Sequence, residues 1–358
     1  MGSDLKVDSL LKTAVDREAS DLHLRAGAPP VLRVNGALVP LDNGQGTLSP
    51  EDTEHAFMAV TGEQHRAMFA EASELDFHYA LPELARFRVN ASMQRGSISL
   101  AFRRIGLAIP TIDELNLPPI CKSLALKPRG LILATGPTGS GKFTTLAAMV
   151  QHLNRNEARV IVTIEDPIEY LYQDERCVIT QREVGRDTQS FAGALRSALR
   201  QDVNVILVGE MRDPDTMAAC LTAAETGHLV LSTLHTSSAP MTIDRIIDVF
   251  PPHQQAQIRM QLSLTLEAVL SQTLLARIDQ EGRVPAVEVM VPNAAVRNLI
   301  REGKTHQMPN VIQTGAQEGM QSLEQSLRDL YHRQLIGFED ALAAANDPEA
   351  LKALMKRG

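Results

Sequence analysis

Apolar and polar positions follow two rhythms along this chain, and the change between them falls near residue 130. Before it, short stretches alternate with a period of two, as strands with one buried face do. Leu22-His23-Leu24-Arg25 and Val31-Leu32-Arg33-Val34 predict strands. Asn35-Gly36 then supplies a hairpin turn, so residues 37–40 are the expected return strand. Residues 75–79, 87–91 and 98–102 alternate in the same way. Residues 5–15 read as a short helix. Ser49-Pro50-Glu51-Asp52 opens another, with an N-cap serine, proline at the first position and acids in the first turn. The expected product is a small α+β domain over 1–105 with an antiparallel sheet.

Pro110, Pro118 and Pro119 punctuate the next stretch, and residues 106–120 read as a linker. From Gly130 the grammar changes. Residues 131–135, 160–164, 205–208 and 229–233 are nearly continuous apolar runs separated by helical stretches. Strands buried on both faces look like this, and their alternation with helices predicts a mainly parallel sheet in an α/β core over 121–291. Residues 292–358 read as helices only, the last opening at Asp347-Pro348-Glu349.

The composition, 44% hydrophobic and 22% charged, is that of a folded globular chain. A net charge of -8 argues against nucleic acid as the main partner, because no excess of Lys and Arg can neutralise phosphates. The three cysteines, Cys121, Cys177 and Cys220, are too scattered for a disulfide framework or a CxxC metal site. They read as buried apolar residues in a reducing compartment. No apolar run approaches the ~18 residues of a membrane span, so membrane association is expected to be peripheral.

Gly136-Pro137-Thr138-Gly139-Ser140-Gly141-Lys142 directly follows a predicted strand and precedes a predicted helix. Glycines let backbone N–H groups wrap a polyphosphate closely, the helix start adds partial positive charge, and lysine reaches the outer phosphates. The expected nucleotide-binding segment runs on through Phe143, Thr144 and Thr145. Position 143 breaks the pattern. A P-loop carries Ser or Thr after the lysine, whose hydroxyl ligates Mg²⁺, and Phe143 has no ligand atom. Thr144, one helical residue on, points about 100° away. The chain thus identifies no direct metal ligand.

Thr163-Ile164-Glu165-Asp166-Pro167-Ile168-Glu169 stands at the end of a predicted strand, where ligands bind in doubly wound sheets. Acids there can hold a metal through water or polarise an attacking water. Asp166 before Pro167 reads equally as the cap of a following helix. Residues 205–208 deliver Glu210 in the same manner. His228 and His235 flank the next strand with a spacing that suits no common zinc motif. Each reads as structural or, for His235, as a sensor of the γ-phosphate. Arg86, Arg88, Arg95, Arg103 and Arg104 form either a solvated sheet face or arginines delivered to a phosphate held elsewhere.

These segments together resemble the secretion ATPase superfamily of type II, type IV and pilus motors, in family order and over nearly the whole chain. Ala19-Ser20-Asp21-Leu22-His23-Leu24 and Arg86-Phe87-Arg88-Val89-Asn90 are similar to its PAS-like N-terminal domain. The phosphate loop, an "Asp box" at 163–169, a Walker B segment ending Val208-Gly209-Glu210-Met211-Arg212-Asp213, and a "His box" from Ala224 to Thr236 follow. Ala295-Val296-Arg297-Asn298-Leu299-Ile300-Arg301-Glu302 is similar to the tail motif of the pilus-retraction branch. Extension and secretion members carry a tetracysteine zinc module that this chain cannot supply.

The resemblance implies a RecA-like P-loop ATPase domain, preceded by the PAS-like domain and followed by C-terminal helices. It implies a cytoplasmic homohexamer at the inner membrane that hydrolyses ATP with Mg²⁺ between those two domains. Domain rotation would act on a membrane platform protein, remove pilin subunits and drive twitching motility. In that frame Glu210 matches the catalytic glutamate, Glu165 and Glu169 the Asp-box acids, and His228 and His235 the His-box pair. Arg88 and Arg103 match arginines that approach the nucleotide, and the 295–302 helix would serve retraction rather than binding. Two departures stand out: Phe143, and Val203-Asn204 where the family usually has Pro-Asp. The alternatives are a ring subunit whose hydrolysis Phe143 impairs, and an extension or secretion motor.

Overall fold

Period-two alternation in the N-terminal part produces a six-stranded sheet whose described strand pairs are all antiparallel. Its order is β3-β2-β1-β6-β5-β4, built from β1 (Asp21–Arg25), β2 (Val31–Val34), β3 (Ala37–Pro40), β4 (Glu74–Leu81), β5 (Ala85–Gln94) and β6 (Ser97–Ile105). Helices α1 (Val7–Asp16), α2 (Pro50–Val60) and α3 (Glu63–Ala72) belong to the same unit. The inward positions of the strands, Leu22, Leu24, Phe87, Val89 and Phe102, form its core. At α2 the Ser49 hydroxyl accepts from Asp52 N and Ser49 N donates to the Asp52 carboxylate, a reciprocal capping box.

This computed structural model describes residues 6–34, 36–41, 46–82, 84–105 and 109–356. Leu5 of the expected first helix, Asn35 of the expected hairpin turn and 106–108 of the expected linker lie outside them. The chain divides into two units, Met1–Ala108 and Ile109–Gly358.

In the second unit a seven-stranded sheet runs β13-β12-β7-β11-β10-β8-β9. Its strands are β7 (Gly130–Thr135), β8 (Val160–Glu165), β9 (Val178–Glu183), β10 (Val205–Val208), β11 (Leu229–Leu234), β12 (Leu266–Ala276) and β13 (Arg283–Met290). Every described pair is parallel except β12 with β13. On one face Ile132, Ala134 and Leu207 pack with Leu146, Met149 and Leu153 of α5 (Lys142–Asn156), and with α4 (Ile120–Ala125). The other face carries α6 (Phe191–Ala198), α7 (Pro214–Glu225), α8 (Ala239–Asp248), α9 (Pro252–Thr265), α10 (Ala294–Glu302) and α11 (Met308–Thr314). There Leu131, Val162, Ile206 and Val230 meet Leu195, Met217, Ile243, Leu262 and Val296. A further cluster joins Leu275 and Val284 to α12 (Leu323–His332), α13 (Phe338–Ala344) and α14 (Pro348–Met355).

Strands β9, β12 and β13 are absent from the elements expected from the sequence. Half-exposed β9 is an edge strand, and polar Ser271, Gln272 and Thr273 interrupt the apolar run of β12. Within the stretch read as a linker, Ile112 and Leu117 are buried in the α5-side core, so 109–120 packs as part of the second unit despite its prolines. Residues 292–356 likewise share that unit's cores. The three cysteines are buried, and burial pushes their thiols up. No described helix is long and apolar enough to cross a membrane.

Candidate functional site

The turn 136–141 leaves the carboxyl end of β7 and opens α5, with Gly139 in the left-handed region at φ 80°. A Cβ on Gly139 would meet nothing within 4 Å, so conformation and not crowding selects glycine there. Lys142 is buried, and its Nζ donates to the carbonyls of Gly136 (2.9 Å) and Pro137 (3.0 Å). Burial lowers its pKa, partly offset by the negative charge of Glu210. Ser140 Oγ is buried with no hydrogen-bond partner among the described residues, a hydroxyl left over for an oxygen from outside. Glycine turn, helix start, lysine and orphaned hydroxyl together fit a polyphosphate.

Glu210 follows β10 at the same edge of the sheet. Thr233, on β11, fixes the chain around it: its hydroxyl donates to Gly209 O (2.7 Å), and its carbonyl accepts from Met211 N (3.2 Å). The Glu210 carboxylate then lies between two cationic or potentially cationic groups, Arg212 Nη2 at 2.8 Å and His235 Nε2 at 3.3 Å. A carboxylate held in this way, next to the lysine loop, can orient a water and take its proton.

Glu165, at the end of β8, is buried and accepts from Thr163 Oγ1 (2.7 Å), Glu169 N (3.1 Å) and Gln181 Nε2 (3.4 Å). Burial raises its pKa against the pull of those bonds. Glu169 lies four residues on, with its side chain exposed. The cap reading of Asp166 fails, because no helix follows it. Backbone amides of 168–175 turn instead to side-chain acceptors: Ile168 to Glu183, Tyr172 to Gln181 and Glu175 to Asn154. Those bonds hold the segment in an irregular course.

Phe143 occupies the first turn of α5. The Thr144 hydroxyl is engaged with Tyr170 OH at 3.0 Å. The loop therefore lacks the hydroxyl by which a P-loop holds Mg²⁺, and among the described residues no cluster of His, Cys, Asp or Glu has metal-binding geometry. These residues do not fit the ion in the usual way.

His235 joins the site; His228 does not. The two stand at opposite ends of the six-residue β11, roughly 20 Å apart. Nδ1 of His228 lies 3.0 Å from Ala223 O, at the end of α7. In the first unit Arg88 and Arg103 are register partners on β5 and β6. Arg103 Nε donates to Asp21 at 2.9 Å, and Arg88 is 3.7 Å from Asp76. Burial alone would raise the Asp21 carboxyl, but bonds from Ser20 and Arg103 and the charge of Arg103 hold it below its ordinary value. The sequence alone assigns no individual role to Arg212, Thr233, Tyr170 or Gln272. For Gln272 a signal existed, a polar side chain inside an otherwise strand-like apolar stretch.

The fold and this edge define a P-loop nucleotide-binding protein. Residues 93–337 match the family "Type II/IV secretion system protein", and the chain belongs to that family. It is 47% identical to the Pseudomonas aeruginosa type IV pilus retraction ATPase PilT, over 96% of this chain and 99% of that protein. It is 42% identical to the type IV pilus ATPase PilU of the same organism, over 99% and 92% respectively. It also resembles the crystal structure of the pilus retraction motor PilT with bound ADP, at TM-score 0.91 and 45% identity, covering 98% of this chain and 99% of that one.

Proposed function

We propose that this chain is the ATP-hydrolysing subunit of a homohexameric motor that retracts type IV pili and so drives twitching motility. The observation that carries this reading is likeness to a retraction ATPase over 96% of the chain, including the first unit and the tail helix. In the proposed cycle Lys142 and the loop amides hold the outer phosphates of ATP. Glu210 orients a water against the γ-phosphorus and takes its proton as the bond to ADP breaks. His235 and Arg212 keep the Glu210 carboxylate in place. Glu165 and Glu169 support that edge of the sheet. The rotation of each subunit would act on a membrane platform protein at the cytoplasmic face. Magnesium is proposed only as the companion of the nucleotide.

Phosphate release by the purified chain, with divalent metals titrated, tests the reading, beside a complementation assay that scores retraction against assembly. No release in any metal overturns the ATPase. Restored assembly without retraction overturns the direction of force. A second reading rests on Phe143: a ring subunit that binds nucleotide but hydrolyses it weakly. Rescue of turnover by Phe143→Ser favours it.

A further inference from the structure

Strand β12 lies beside β7 in the sheet, and their parallel register ends at Ser271 opposite Thr135. The next residue of β12, Gln272, therefore comes alongside the turn into which β7 feeds. It is 3% exposed, and both ends of its amide are used. Nε2 donates to the carbonyl of Ser140 at 2.5 Å, and Oε1 accepts from Thr145 Oγ1 at 2.9 Å. Below it, Ser271 and Thr135 share a hydroxyl bond of 2.8 Å. The loop's glycines record the same approach. A Cβ on Gly136 would stand 2.2 Å from the Gln272 carbonyl oxygen, and one on Gly141 3.2 Å from Gln272 Nε2.

A planar trans peptide points its C=O and its N–H in opposite directions. By holding the Ser140 carbonyl, Gln272 fixes the Gly141 N–H on the other side of the same peptide. By holding Thr145, it fixes that peptide relative to the first turn of α5. An amide bonded at both ends cannot rotate without leaving a buried donor or acceptor unpaired. We propose that Gln272 is a positioning residue for nucleotide binding, setting the Ser140–Gly141 peptide so that the Gly141 N–H faces the phosphates. This rests on the functional reading above.

The test uses the full chain and Gln272→Met, which keeps length and bulk but has no amide. ADP and ATP affinities, KM and kcat are measured well below the unfolding temperature, and thermal unfolding is followed without nucleotide. The expected result is cooperative unfolding near that of the parent, with Kd and KM raised about tenfold and kcat changed less than about threefold. Residual disorder of the fold would not give that split. Gln272→Asn, which draws the same amide back by one methylene, is the second variant and is expected to shift Kd the same way. A folded variant whose affinity stays within about twofold of the parent overturns the proposal. So does the failure of both variants to fold, which makes Gln272 a folding residue. A parent that takes up no nucleotide overturns the functional reading and this inference with it; a binding parent beside an unaffected variant overturns the inference alone.

Discussion

The two ends of the central strands differ in what their polar groups bond. At the amino ends of β7, β8 and β10 several bonds run to backbone: Gly130 N donates to His228 O, Asn204 exchanges bonds with the backbone of Val160, and the Arg159 guanidinium donates to the carbonyls of Leu126 and Lys127. At the carboxyl ends, bonds to backbone are joined by a set of side chains that hold one another: Glu210 with Arg212 and His235, Glu165 with Thr163 and Gln181, Gln272 with Thr145. Groups satisfied by backbone close an edge. Groups satisfied by one another can exchange those partners for a ligand. That is why His228 and His235, so alike in sequence, are not alike in place, and why the Val203-Asn204 departure stays remote from the chemistry.

The sharpest way to break this contrast is Glu210→Gln, which keeps the shape and removes the base. Turnover should fall by about 10²–10⁴, with ATP still bound. Unchanged phosphate release would detach chemistry from the carboxyl edge altogether. Next is the histidine pair. His235→Ala should lower kcat by about tenfold or more, whereas His228→Ala should cost less than about threefold in kcat and express itself as a lower melting temperature. Equal losses of kcat would show that the amino edge takes part in the reaction. On the second reading, Phe143→Ser places a hydroxyl at the first turn of α5 and raises turnover about tenfold at limiting Mg²⁺. A magnesium titration that coincides with that of the parent contradicts it.

A further test concerns a carboxylate bonded to backbone rather than to another side chain. Glu288 on β13 is buried, accepts from Ala239 N at the start of α8 (2.7 Å), and is pushed up to about 7 by burial and by the nearby Glu324. In the unfolded chain it ionises near 4.5. The folded protein therefore holds a proton that the unfolded chain gives up between those values. Stability from this group is full below the lower value and is lost as pH rises toward 7. Glu288→Gln should remove that dependence, gaining up to about 3 kcal/mol over the parent at pH 8 and little at pH 4.5. Parallel denaturation curves of the two proteins across pH 4.5–8 refute this.

Much of the molecule was legible from pattern. The continuous apolar runs of β7, β8, β10 and β11, the cap at Ser49 and the glycine-lysine turn are local signals, and local physics produces them. What escaped depends on distant partners. Strand β12 contains Ser271-Gln272-Thr273, which breaks the apolar run; Ser271 bonds its neighbour strand at Thr135 and Gln272 serves the loop. Gln272 meets Thr145 across 127 residues, a distance no window reads. Asp166 resembled a cap because Asp-Pro is a helix opening in isolation; the competing acceptors Glu183, Gln181 and Asn154 come from elsewhere in the chain. The prolines between 110 and 119 read locally as a linker, whereas the buried Ile112 and Leu117 anchor the segment through partners distant in sequence.

In the tail helix α10, Arg297 turns inward: its guanidinium donates to the carbonyls of Ser263 and Leu264 at the end of α9, and to Glu267 of β12. Glu267 also pairs with Lys127 ahead of β7. The eight-residue signature is thus two messages written on one cylinder. Arg297, Val296 and Ile300 address the protein's own interior, while Asn298, Arg301 and Glu302 lie exposed on the outward side.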